Sequence, residues 1–222
     1  MVAIIFPVAL FIFVAAILNG KLFLNRKYSY SEKAYLFIPL LFGSSALLLV
    51  LYDVELAAPS PLVWWLLLSV VGVYLGFSYL WWRTLRNEHI YGINTIPAEN
   101  RSIVTIDPVA DLTKLFEILF QDVVVFAIVL SLSSFFANIY TPLILFTLIV
   151  SVVHLPGVAL FGRIFGTYWL VCSTILAPLA FYFVSIEFGL YYLFILHTSI
   201  TLLLYVVIYI LSKTKNKQRG VN

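Results

Sequence analysis

Seven long apolar runs occupy most of this 222-residue chain, at roughly 2–19, 35–52, 61–82, 112–137, 141–162, 166–186 and 188–212. A helix needs about 20 mostly apolar residues to cross the hydrocarbon core of a bilayer, and five of the runs reach that length while the first two come close. Charged residues make up 10% of the chain and hydrophobic residues 63%; soluble domains carry about 25% charged residues. Lipid supplies no hydrogen-bond partners, so only helices or closed barrels span it. Barrel strands alternate apolar and polar residues. These runs do not alternate, so the expected fold class is all-α: one transmembrane domain over residues 1–222, a bundle of seven helices.

The charges orient the bundle. Lys21, Arg26, Lys27 and Lys33 lie between runs one and two. Arg83, Arg86, Arg101 and Lys114 lie between runs three and four or at the start of the fourth. Arg163 separates the fifth and sixth, and Lys213, Lys215, Lys217 and Arg219 follow the last. Together these are all 13 Lys and Arg residues, whereas Asp53, Glu55 and Glu187 occupy opposite connections without a basic residue. Basic loops stay cytoplasmic. The expectation is N-terminus out, C-terminal tail (213–222) in, in the plasma membrane. The same bias accounts for the net charge of +3, so no nucleic-acid partner is implied. The tail also suits anionic lipid head groups.

Smaller signals fill in the outline. The first run has no basic leader and no clear cleavage site, and reads as a retained anchor. Cys172 is the single cysteine, which excludes an intrachain disulfide. The sequon at Asn100-Arg101-Ser102 falls on the cytoplasmic side and is discounted. The stretch 83–111 reads as an irregular loop or a small hairpin around Pro97. Asp107-Pro108 is a helix start. Gly72 and Gly76 have the spacing of a close helix contact. Trp64-Trp65 and Trp81-Trp82 sit where interfacial aromatic belts belong.

Ionisable residues within a membrane helix cost at least about 2.5–3.5 kcal/mol when charged at its centre, and so mark functional sites. The first three runs have none in their interiors. The fourth carries Glu117 and Asp122 with Gln121 between them, the fifth His154, the seventh His197. Glu117 and Gln121 share a helix face, while Asp122 points about 140° away from Glu117. Counting from flanking basic residues, Asp122 and His154 lie about 12–13 Å deep and His197 about 24 Å. Bringing them together requires tilt, a kink or a water-filled recess.

Phe116-Glu117-Ile118-Leu119-Phe120-Gln121-Asp122 resembles the Glu-Glu-x-x-Phe-Arg-Gly motif of the CPBP family of intramembrane proteases, which includes CAAX prenyl proteases and bacteriocin self-immunity proteins. Val150-Ser-Val-Val-His154 resembles its second motif, Phe-x-x-x-His, and His197-Thr-Ser-Ile-Thr201 its third, His-x-x-x-Asn. The resemblance covers about residues 110–205. It departs at Phe116, Gln121, Val150 and Thr201. It implies an intramembrane endopeptidase acting on a membrane-associated peptide or protein, with Glu117, His154 and His197 catalytic and Gln121, Thr201 and Asp122 in support. Two mechanisms follow from it. Glu117, His154 and His197 would supply the three protein ligands of a catalytic zinc. Without metal, Glu117 is the base and the histidines stabilise the oxyanion. Asp122 stands where the family has Gly and either bonds a neighbouring helix or replaces the lost acid. The alternative is an inactive family member acting as a membrane scaffold or partner-binding protein. A transporter lacks support, since repeated halves and paired broken helices are not visible. Runs four and five are joined by a short turn near 138–141, so they are expected to touch along much of their length. Glu117 and His154 are expected within hydrogen-bond reach or bridged by one water.

Overall fold

The computed structural model describes residues 2–18, 33–52, 65, 72, 76, 108–160, 163–185 and 190–202, and within them the chain is helical apart from short turns. The helices are α1 (Val2–Leu18), α2 (Ala34–Leu51), α3 (Pro108–Phe135), α4 (Tyr140–Leu160) and α5 (Arg163–Ser185), followed by α6 (Leu190–Leu202). Strands are absent among the described residues. The stretches Ala34–Leu51, Asp111–Phe135, Tyr140–Ala159 and Gly166–Val184 are each long and apolar enough to cross a membrane. The third run lies outside the described residues except for Trp65, Gly72 and Gly76, which are helical. Of the expected loop or hairpin at 83–111, residues 83–107 lie outside them, as does the tail, and 108–111 are helical.

The outer surface is that of a protein in lipid. On α4, Ile144, Leu148, Val152 and Leu155 recur every three or four residues and are all exposed. An apolar stripe of this kind would be costly in water. Serine and threonine hydroxyls cannot reach water there, so they turn back on their own helix: Ser45 donates to the Leu41 carbonyl, Thr147 to Leu143 and Thr174 to Leu170. Such back-bonding satisfies a hydroxyl at little cost in helix geometry. Prolines inside α1, α2, α4 and α5 (Pro7, Pro39, Pro156 and Pro178) are tolerated as they are in membrane helices generally.

α3 starts at Pro108, as the Asp-Pro pair predicts. Between α3 and α4, the Asn138 side-chain oxygen accepts the Thr141 backbone N–H at 2.8 Å, occupying a donor that the helix start would otherwise leave open. α3 is the hub. Phe120 stacks on Phe11 of α1 with ring centroids 6.3 Å apart, and Phe116 meets Phe42 of α2 edge-on at 6.1 Å. Val14, Leu41, Leu48, Phe120 and Val123 are buried in the resulting core.

α4 and α5 form a second unit, an antiparallel pair in extensive contact. A Cβ on Gly166 would collide with the Cα of Val158 and the carbonyl of Gly157, so only glycine admits this crossing. Further along, the Ser151 and Thr174 hydroxyls meet at 3.0 Å. Small residues and hydroxyl pairs of this kind hold membrane helices together where lipid offers no hydrophobic drive. The Gly72–Gly76 pair is different: an added Cβ meets no atom within 4 Å at either position, so the expected close contact is not made with the described residues.

One expectation fails here. α3 packs mainly against α2 and α1, and its contact with α4 is slight despite the short turn between them. Both helices instead line a cavity.

Candidate functional site

The cavity has a volume of about 190 Å³ and is walled by α1, α3, α4, α5 and α6. Its lining is mostly aliphatic and aromatic, including Phe11, Val125, Phe146 and Trp169. Gln121, Asp122, His154, Ser173, His197 and Thr201 supply its polar groups. A largely apolar pocket with a few convergent polar groups is the usual form of a ligand or active site.

Asp122 reaches the cavity because of its position on α3. Its side chain is 1% exposed, and Oδ1 lies 2.9 Å from Nδ1 of His197 on α6, whose side chain is 27% exposed. The carboxylate therefore stands behind the imidazole. Its other oxygen, Oδ2, has no hydrogen-bond partner among the described residues, and neither does the Thr198 hydroxyl of α6. An orphaned polar atom in a buried site is expensive, commonly about 1–3 kcal/mol, and calls for a functional or solvent explanation.

His154 is held differently. Its Nδ1 lies 2.7 Å from the Val150 carbonyl, one turn back on α4. A carbonyl only accepts, so Nδ1 carries the proton and donates it. That leaves Nε2 of the neutral ring as an acceptor, unable to donate to an oxyanion.

Glu117 belongs to another setting. Its Oε2 is 2.9 Å from Nζ of Lys114, and its Oε1 accepts from the Gln121 amide at 3.0 Å. Lys114, Glu117 and Gln121 form a ladder along one α3 face at three- and four-residue spacing. The cavity lining includes Gln121 at the ladder's end but not Glu117. The expected Glu117–His154 hydrogen bond is therefore not made. The physical reason is twofold: Glu117 has partners on its own helix, and the cavity holds α4 away. Phe116, at the position of the family's first acid, is packed on Phe42.

Of the six residues singled out from the sequence, the cavity gathers His154, His197, Gln121, Thr201 and Asp122. The pairing of Asp122 with His197 spans 75 residues of sequence and was not anticipated. Sequence reasoning also passed over α5, which contributes Trp169, Cys172 and Ser173 to the wall. No carboxylate or histidine there distinguished it from an ordinary span.

The zinc set implied by the resemblance does not fit. Among the described residues, no three His, Cys, Asp or Glu side chains converge as a metal-binding group. Glu117, the third ligand of that set, lies outside the cavity lining that His154 and His197 share, so no step is derived through a metal.

The chain matches no protein-family model, no curated protein and no solved structure. Among the described residues, fold and site show an all-helical arrangement with four helices able to span a membrane and a cavity carrying an acid and two histidines.

Proposed function

We propose that this protein is a divergent CPBP-type intramembrane endopeptidase, which uses an activated water to cut a peptide bond near the cytoplasmic face of the plasma membrane. In this reading it has seven spans, with its N-terminus outside and its tail inside. The observation that carries the proposal is the cavity, where His154 and His197, from the second and third motif-like stretches, line one space beside Asp122. Motif histidines that served only as helix contacts would have no need to share a wall.

A second reading has its own support. Glu117, the acid retained from the first motif, bonds Lys114 and Gln121 instead of a histidine. An inactive relative that holds a membrane peptide in the same cavity is consistent with that arrangement.

Cleavage decides between them. The full-length protein in phosphatidylcholine vesicles is incubated with a panel of fluorogenic membrane-spanning peptides. The endopeptidase reading expects cutting by wild type and none by a His154→Ala, His197→Ala double variant. A wild type that binds peptides and leaves the whole panel uncut establishes the scaffold. Orientation is tested separately: a reporter after Gly220 should read cytoplasmic, and one between Asp53 and Ser60 external. The opposite pair of readings reverses the topology.

A further inference from the structure

We propose that His197 is the general base of this site and that Asp122, rather than Glu117, is the positioning residue that orients it. The inference rests on the endopeptidase reading for its chemistry, though its geometric half can be tested without catalysis.

The argument begins with how each histidine is held. His154 spends its Nδ1–H on a backbone carbonyl of its own helix. This fixes the ring but places no charge behind it. His197 has a carboxylate behind it, on a different helix, at 2.9 Å. An ionised carboxylate only accepts hydrogen bonds, so His197 Nδ1 carries the proton and Nε2 keeps its lone pair. The acid is buried while the imidazole is partly open and lines the cavity. An acid held out of solvent that fixes the tautomer of a more accessible histidine is the arrangement by which enzymes make imidazole a base, and the carboxylate then stabilises the imidazolium that forms.

Glu117 has none of these properties. It is on the opposite side of α3 from Asp122, salt-bridged to Lys114, and it lies outside the cavity lining. Its amide partner Gln121 does line the cavity. Because the carboxylate can only accept, the Gln121 NH₂ must face it, which leaves the Gln121 carbonyl oxygen to be presented elsewhere.

The step balances without an added reagent. Water donates a proton to His197 Nε2 as its oxygen bonds the peptide carbonyl carbon, giving a tetrahedral oxyanion and an imidazolium. The C–N bond then breaks, and the imidazolium proton passes to the departing nitrogen. The products are a carboxylic acid and an amine, and His197 returns to its neutral Nδ1–H form.

The test uses the full-length protein, labelled with ¹⁵N-histidine, in phosphatidylcholine nanodiscs. In wild type the His197 signals should be those of an Nδ1–H imidazole with an unprotonated Nε2. The opposite tautomer overturns the proposal without any variant. Asp122→Asn can present its NH₂ to Nδ1, and should shift the His197 proton to Nε2. Glu117→Gln should leave the His197 signals in place. A His197 spectrum that ignores Asp122→Asn, or responds equally to Glu117→Gln, also overturns it. In the cleavage assay, Asp122→Asn should lower kcat by about a thousand-fold or more with little change in KM, and Glu117→Gln should stay within a few-fold of wild type. The reverse ranking overturns the assignment. If wild type cuts nothing, the endopeptidase reading falls, and the orienting role of Asp122 is decided by the tautomer alone.

Discussion

Glu117 and Asp122 stand five residues apart on α3 and meet different surroundings. Glu117 sits one turn from Lys114 and one turn from Gln121 and bonds both of them along its own helix. Asp122 reaches across to α6 and is almost wholly buried. The first arrangement would exist in an isolated helix. The second exists only when α3 and α6 are assembled. Motif resemblance selects Glu117 because it reads residue type and order along the chain. Assembly selects Asp122 because it decides which acid faces another helix. In a bundle with few polar groups, the partner across the interface tells more about a side chain's role than its neighbours in sequence.

Three measurements can break or sharpen this contrast. The largest effect is expected for Asp122→Ala, which leaves the Nδ1–H of His197 unmatched and should lower stability by about 3 kcal/mol. Denaturant unfolding in micelles gives the value, and a loss below that of Glu117→Ala would reverse the contrast. Next is Gly166→Ala. Its new methyl group meets backbone at Gly157 and Val158, and overpacking of this kind costs about 1–3 kcal/mol. Because it moves the α4–α5 wall, it should shift the His154 and His197 resonances, while the Lys114–Glu117 pair, outside the cavity lining, stays as it is. Equal disturbance at both places would mean that the two regions are mechanically one. The smallest is Glu117→Ala, which removes pairs at three- and four-residue spacing along one helix and is expected to cost under about 1 kcal/mol.

Much of the fold was legible along the chain. α2 at Ala34–Leu51 and α4 at Tyr140–Leu160 fall within two residues of the apolar runs, and Pro108 opens α3 where the Asp-Pro pair places it. These features depend on local chemistry: the need for about 20 apolar residues and the fixed φ of proline. The site was legible only in part. Its residue types stood out because charge is rare inside a membrane, but their pairing did not. Counting depth along straight helices separates Asp122 from His197 by about 12 Å, yet they are bonded. The relative shift of two non-consecutive helices is set by how side chains mesh, and no single sequence encodes that in a readable period. The divergence of α3 from α4 was missed for the same reason: a short turn fixes where two helices begin and leaves open the angle at which they part.

The α4–α5 pair has a consequence for biosynthesis. Only residues 161 and 162 separate the end of α4 from the start of α5, too few for one helix to settle in the bilayer far from the other. Ser151 and Thr174, which meet across the pair, can find each other as soon as both segments have left the ribosome, before α6 exists to complete the cavity. The glycine crossing near the connection lets the two backbones close at that stage. The hairpin can therefore enter the membrane as one preassembled piece, with its hydroxyls already shielded from lipid. The wall carrying His154 stays open until α6 arrives with His197.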